Sequence, residues 1–156
     1  MDNAIIQMAR QGDLKSIARC ISLIENAAEG HETIISQAAA EQVVPLIGIT
    51  GPPGAGKSTL VDALVEAFVA EEKKVAVVCV DPSSPFNKGA LLGDRIRMNR
   101  WYNHPLVYIR SLASRGSMGG LHPSAKQITA FLQGCGFDLI ILETVGVGQS
   151  EIEIAR

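Results

Sequence analysis

The spacing of apolar residues divides the chain into a helical first part and a longer part in which strands and helices alternate. Between residues 14 and 24 apolar side chains recur at every third or fourth position, which predicts a packed helix with Asp13 as its N-cap. A second helix is predicted over residues 31–42, after Gly30. We interpret residues 1–42 as a two-helix extension that packs on the rest of the protein.

From residue 43 onward, short apolar runs alternate with helical stretches, which is the pattern of parallel βαβ units. The runs at 75 and 138 are apolar almost without alternation, as expected for strands that helices cover on both faces. The predicted strands cover residues 45–50, 75–80, 106–110 and 138–143. Three of them lead into Gly51, Asp81 and Glu143. Because open parallel sheets bind ligands at the carboxyl ends of their strands, we expect a site at these three positions.

The first strand runs directly into a glycine-rich turn and a helix. The turn fits the pattern G-x-x-x-x-G-K-[ST], in which glycines let several backbone N–H groups face one phosphate and the helix adds its positive end. Lys57 is predicted to contact the outer phosphates during catalysis, and Ser58 is predicted to hold magnesium. The fold class is therefore α/β, a P-loop NTPase over residues 43–156. The residues predicted to bind the nucleotide are Gly51, Pro52, Pro53, Gly54, Ala55, Gly56, Lys57, Ser58 and Thr59.

Acidic residues at other strand ends are predicted to complete the site. Glu143 has the place of the acid in a Walker B strand, where it would hold magnesium directly or through water. Asp81 ends another strand and would approach the same ion. Asp94 is a third candidate metal ligand, with the cap of a helix as its alternative role. Lys57 and Glu143 are therefore candidate catalytic residues, and Ser58, Asp81, Asp94 and Glu143 are the candidate metal ligands.

Composition excludes several other function classes. The 14 basic and 16 acidic residues give a net charge of -2, which would not attract a nucleic-acid backbone or an anionic membrane. The three cysteines form no C-x-x-C pair, which is typical of reduced thiols rather than of a disulfide framework or a zinc site. The sequence contains neither an apolar run long enough to span a bilayer nor the pattern of a signal peptide. We expect a cytoplasmic protein that binds neither nucleic acid nor membranes.

Five segments together resemble the MeaB/ArgK family, the GTPases that serve as chaperones for adenosylcobalamin-dependent methylmalonyl-CoA mutase. These segments are GITGPPGAGKSTLVDAL, VDPSSPF, LLGDRIRM, ASRGSMGGL and ETVGVGQSE. The resemblance implies that Lys57 and Ser58 handle the phosphates and magnesium, and that Asp81, Asp94 and Glu143 shape the metal and switch region. It also implies Mg²⁺ and bound GTP or GDP as cofactors, the mutase as partner, and a homodimer in the full-length protein.

The residues after Glu143 favour a hydrolytic switch over a kinase. The N–H of Gly146 is a candidate donor to the γ-phosphate, and the segment 146–148 could change shape once that phosphate leaves. Gln149 is a candidate for orienting the attacking water, with the start of a helix as its alternative role. A kinase of a small metabolite and a nucleotide-binding fragment without turnover stay open as alternatives.

Several other positions say less about the function of the protein. Arg110 and Arg115 lie in or beside a segment that resembles a switch-like loop of the family, and each could contact phosphate, a partner surface or a surface carboxylate. Trp101 and Tyr102 are interpreted as packing residues. The guanine-reading N-K-x-D motif of the family should follow the strand of Glu143 and is not found there. We therefore expect residues 43–156 to be the first part of a GTPase domain, truncated before that motif.

Overall fold

A parallel four-stranded sheet forms the centre of the structure, a computed structural model that describes residues 3–38, 42–52, 54–81, 98–113 and 124–145. The strand order is β1-β4-β2-β3, and all three neighbouring pairs are parallel. The strands are β1 (Leu46–Gly51), β2 (Val75–Asp81), β3 (Val107–Ala113) and β4 (Leu139–Val145). Each predicted strand is present within a few residues of its predicted bounds, so the α/β prediction is confirmed.

The parallel arrangement brings the carboxyl ends of the four described strands to one end of the sheet, and the register sets which residues lie opposite each other. Glu143 of β4 lies opposite Ile49 of β1 on one side and opposite Cys79 of β2 on the other. Because successive side chains of a strand point to opposite faces, residues 75, 77 and 79 of β2 share a face with residues 139, 141 and 143 of β4. This register decides which side chains can meet at the end of the sheet.

Helices cover both faces of the sheet. They are α1 (Asn3–Arg10), α2 (Leu14–Glu25), α3 (His31–Gln37), α4 (Lys57–Ala70) and α5 (Ala125–Gln133), with a short 3₁₀ helix over Asn99–Trp101. The predicted N-cap of α2 is confirmed, because the Asp13 carboxylate accepts a hydrogen bond from the N–H of Ser16 at 2.9 Å. Hydrogen bonding to Ser16 also holds the pKa of Asp13 below its usual value. None of the helices in the described ranges is both long and apolar enough to cross a bilayer.

The N-terminal part differs from the two-helix prediction, since its described residues, 3–38, contain three helices. The additional helix, α1, has only eight residues and buries only Ile6 and Ala9 completely, which is too short a pattern for periodicity to identify. The predicted second helix was also too long, because α3 ends at Gln37 rather than at residue 42. Residues 39–41 lie outside the described residues.

Two hydrophobic cores lie on the two faces of the sheet. On one face, α1, α2, α3 and α5 bury a cluster that includes Ile6, Ile17 and Phe131 together with Ala76 and Ile140 of the strands. On the other face, α4 and the 3₁₀ helix bury a smaller cluster of strand and helix side chains. The N-terminal helices therefore share one core with the sheet, whereas the domain boundary at residue 42 stays a prediction.

Trp101 fixes the 3₁₀ helix against α4. Its indole Nε1 donates to Asp62 Oδ1 at 2.7 Å, and Arg100 donates to both oxygens of the same carboxylate at 3.0 and 2.7 Å. Partial burial raises the pKa of Asp62, but the hydrogen bonds from Arg100 and Trp101 together bring it below its usual value. Trp101 is buried and Tyr102 is exposed, so the packing interpretation is confirmed for Trp101.

Arg110 of β3 forms an ion pair with α2. Its Nη2 lies 2.5 Å from Glu25 Oε2 and 3.2 Å from Ser22 Oγ. The side chains of Arg110 and Glu25 are only 27% and 13% exposed. Of the roles considered for Arg110, the structure shows the ion pair, and it places this pair between the sheet and the N-terminal helices rather than at an open surface.

We expect the substitution Glu25→Gln to lower the free energy of unfolding by about 1–2 kcal/mol, because it leaves the Arg110 charge half-buried without its carboxylate. Urea unfolding followed by circular dichroism would measure the loss. The matched control is Glu29→Gln, since Glu29 is exposed. Equal midpoints for the Glu25 and Glu29 variants would show that the ion pair contributes nothing to stability.

Candidate functional site

The turn between β1 and α4 has the backbone that the glycine pattern predicts. Gly54 and Gly56 have φ angles of +80° and +91°, in the left-handed region that side chains rarely adopt. Gly56 also precedes α4 directly and provides no side chain to cap it. The N–H groups of the first turn of α4 lack an intrahelical acceptor, and the positive end of the helix favours an anion beside them. This part of the chain is therefore suited to bind phosphate.

Lys57 folds back across the loop. Its ammonium Nζ donates to the carbonyl oxygens of Gly51 at 2.6 Å and Pro52 at 3.0 Å. The aliphatic stem passes close to Gly51, where an added Cβ would lie 3.7 Å from Lys57 Cδ. The positive charge is thus held at the opening of the loop by neutral acceptors, which the oxygens of a phosphate can replace with stronger, charge-assisted hydrogen bonds.

Ser58 and Glu143 meet beside the loop. Ser58, in the first turn of α4, has its Oγ 3.5 Å from Glu143 Oε1. Glu143 is only 8% exposed, although its side chain carries a carboxylate. Burial of a carboxylate is costly unless hydrogen bonds or cations compensate for it. The structure therefore places these two predicted site residues side by side, whereas their roles in metal binding and catalysis stay predictions.

The donor atoms at this position fit magnesium. A hydroxyl and a carboxylate are hard oxygen ligands, and proteins usually hold Mg²⁺ through one or two such groups together with phosphate oxygens and water. Within the described ranges, no three or more His, Cys, Asp or Glu side chains form a group that could hold a metal by themselves. Ser58 and Glu143 therefore fit a magnesium ion whose coordination shell is completed by the phosphates of a nucleotide and by water.

Several predicted site residues lie outside the described part of the chain. These are Pro53, Asp94, Arg115, Gly146 and Gln149. The backbone of Asp81 ends β2, but its side chain also lies outside the described part. The roles proposed for these residues in metal binding, γ-phosphate binding and water positioning stay predictions. Of the other residues predicted to bind the nucleotide, Pro52, Ala55 and Thr59 are exposed around the loop.

Sequence reasoning missed Cys79 as a neighbour of the site and treated it only as a reduced thiol. Its Sγ lies 3.8 Å from Glu143 Oε2, whereas Ser58 Oγ lies near the other oxygen, Oε1. The sequence does indicate which face of the sheet Cys79 occupies. Side chains two residues apart on a strand point to the same face, so Cys79 lies on the face of the buried residues Val75 and Val77. The pairing of β2 with β4 was also needed, and the sequence does not specify it.

Comparisons with known proteins find a matching family model and similar sequences. The family model described as "Methylmalonyl Co-A mutase-associated GTPase MeaB" matches residues 17–156. The chain is 46% identical to a putative GTPase of Pyrococcus horikoshii, over 97% of this chain and 48% of the relative. It is 47% identical to a fused isobutyryl-CoA mutase of Geobacillus kaustophilus, over 93% of this chain and 14% of that protein. The chain thus spans about half the length of the Pyrococcus relative.

A solved structure has the same fold. The crystal structure of a LAO/AO transport system kinase superposes with a TM-score of 0.71 and 31% sequence identity. The match covers 98% of this chain and 46% of that one. The parallel sheet and its flanking helices are therefore shared with a solved protein over nearly the whole chain.

Proposed function

We propose a GTPase function from the premise that this chain belongs to the MeaB family, the methylmalonyl-CoA mutase-associated GTPases. In this proposal the chain is the nucleotide-binding part of a protein that hydrolyses GTP to GDP and phosphate with the help of magnesium. The observation that carries the proposal is the meeting of Ser58 and Glu143 beside the Lys57 loop, at the carboxyl edge of the sheet. Such an edge is where open α/β sheets bind nucleotides.

The described residues have distinct roles in this mechanism. The N–H groups of the loop and of the first turn of α4 donate to the phosphate oxygens and orient the nucleotide. Lys57 exchanges the carbonyls of Gly51 and Pro52 for the outer phosphates and offsets the negative charge that develops there. Ser58 and Glu143 would hold Mg²⁺, which when bound neutralises charge on the phosphates. The proposal includes four further residues. Asp81 and Asp94 would be additional metal ligands. The N–H of Gly146 would donate a hydrogen bond to the γ-phosphate, and Gln149 would orient the attacking water.

The proposed partner is an acyl-CoA mutase. The Geobacillus relative is a fused isobutyryl-CoA mutase, and the stretch similar to this chain makes up 14% of that protein. A segment similar to this chain therefore occurs within a mutase polypeptide. This supports a role of the whole protein as a chaperone of an adenosylcobalamin-dependent mutase, with methylmalonyl-CoA mutase as the first candidate. A cytoplasmic location and a homodimer are further parts of the proposal, which the resemblance to the family implies.

A kinase of a small metabolite is the second candidate, because the solved relative is named a transport system kinase. A metabolite kinase of the P-loop class and a GTPase share the phosphate loop and differ in the acceptor of the γ-phosphate. A kinase transfers the phosphate to a metabolite, whereas a GTPase releases it to water. The acceptor therefore distinguishes the two functions.

The test is release of inorganic phosphate from GTP by the purified protein, with magnesium and without any metabolite. We expect slow release that methylmalonyl-CoA mutase accelerates, and no release in the presence of excess EDTA. ATP in place of GTP is the control for base preference. A protein that binds GTP but releases no phosphate, with or without the mutase, would contradict the GTPase proposal.

A further inference from the structure

We infer that Cys79 is a positioning residue for Glu143, holding this carboxylate in the orientation that suits magnesium; the inference rests on the proposed GTPase function. The two oxygens of Glu143 have different neighbours. Oε1 lies 3.5 Å from Ser58 Oγ, and Oε2 lies 3.8 Å from Cys79 Sγ. The Cys79 thiol donates a weak hydrogen bond to Oε2. It therefore opposes rotation of the carboxylate away from Ser58.

The backbone around Cys79 is held in place beside the backbone of Glu143. β2 lies between β4 and β3, so Cys79 has a strand neighbour on both sides, Glu143 in β4 and Ser111 in β3. The backbone of a residue on a central strand cannot shift without breaking ladder hydrogen bonds to both neighbours. Cys79 is thus better placed to restrain Glu143 than a loop residue would be.

A thiol has properties that suit this role. It is a weak donor, so it can orient a carboxylate while leaving most of its negative charge available for a cation. A strong donor, such as lysine, would instead compete with the cation for that charge. The half-buried Cys79 also packs against the apolar cluster beneath α4, which gives it a stable position.

The other two cysteines show that this arrangement is not general in the chain. Cys20 and Cys135 are fully buried in the core on the opposite face of the sheet. The Cys135 thiol donates to the carbonyl oxygen of Phe131 at 3.3 Å, one turn earlier in the chain. Burial raises the pKa of both thiols, that of Cys135 to about 12. They are core residues, whereas Cys79 borders the carboxylate of the site.

The test separates donation from packing with three variants of the whole chain. Cys79→Ser keeps a donor, Cys79→Val keeps the volume without a donor, and Cys79→Ala removes both. The measured quantity is the Mg²⁺ concentration that gives half of the magnesium-dependent gain in affinity for a fluorescent GTP analogue. We expect it to rise about threefold to fivefold in the Val and Ala variants and to stay within about twofold of the wild type in Cys79→Ser, as loss of one weak hydrogen bond predicts.

Two further measurements make the outcomes distinct. Binding of the analogue without magnesium should be the same in all four proteins, and urea unfolding reports any loss of packing. If Cys79→Val titrates with magnesium like the wild type, Cys79 only packs and the inference is wrong. If the wild type shows no magnesium-dependent binding of GTP, the proposed function itself fails, and the inference fails with it.

Discussion

The substitution Lys57→Ala is expected to weaken binding of GTP with magnesium by about 10- to 100-fold while the protein stays folded. The lost interaction is a charge-assisted hydrogen bond to phosphate, worth about 1.5–3 kcal/mol. Stability should change little, because within the described residues Lys57 Nζ bonds to the loop carbonyls of Gly51 and Pro52. These two carbonyls lie at the partly exposed end of β1 and can bond to water in the variant.

Calorimetric titration of the variant with GTP and magnesium would measure this loss directly. Lys126→Ala is the matched control, because Lys126 is an exposed lysine of α5, the helix that covers the opposite face of the sheet from α4. It removes the same charge far from the loop. An affinity for GTP that is unchanged in Lys57→Ala would show that the loop does not bind the triphosphate.

The main elements of the fold could be predicted because their signals are local. Buried parallel strands have continuous apolar runs, and the phosphate-loop pattern fixes the end of β1 and the start of α4 within a few residues. The strand order could not be predicted in this way. β4 is the last of the described strands in sequence but lies between β1 and β2, and nothing in the local pattern of any strand specifies its neighbours.

The residues of the site could likewise be predicted where they belong to a local pattern, and not where they depend on the topology. Gly56, Lys57 and Ser58 belong to one local motif, and Glu143 was placed near them by the end of its strand. The contact of Cys79 with Glu143 depends instead on the register between two strands that are 64 residues apart. The contact of Arg110 with Glu25 depends on the packing of α2 against the sheet, 85 residues away in sequence. Contacts at such separations follow from topology rather than from local pattern.

The substitution Glu143→Gln is expected to raise the Mg²⁺ concentration needed for half-maximal GTP binding by about 10- to 100-fold, the range found when groups that hold or orient a metal are replaced. Glutamine has nearly the same shape as glutamate, so the packing of this buried residue between Ser58 and Cys79 should be retained. What changes is the negative charge. Binding of GDP without magnesium should therefore change by less than about twofold, a difference below 0.5 kcal/mol.

The contrast between these two measurements distinguishes a metal ligand from a structural residue. A structural role for Glu143 would weaken both kinds of nucleotide binding together, because the loop beside Ser58 would lose its support. A ligand role weakens only the magnesium-dependent part. Glu32→Gln, at an exposed glutamate in the first turn of α3, is the control for a change of charge alone. If Glu143→Gln keeps the magnesium titration curve of the wild type, the carboxylate does not act through the metal and Ser58 must be paired with another acid.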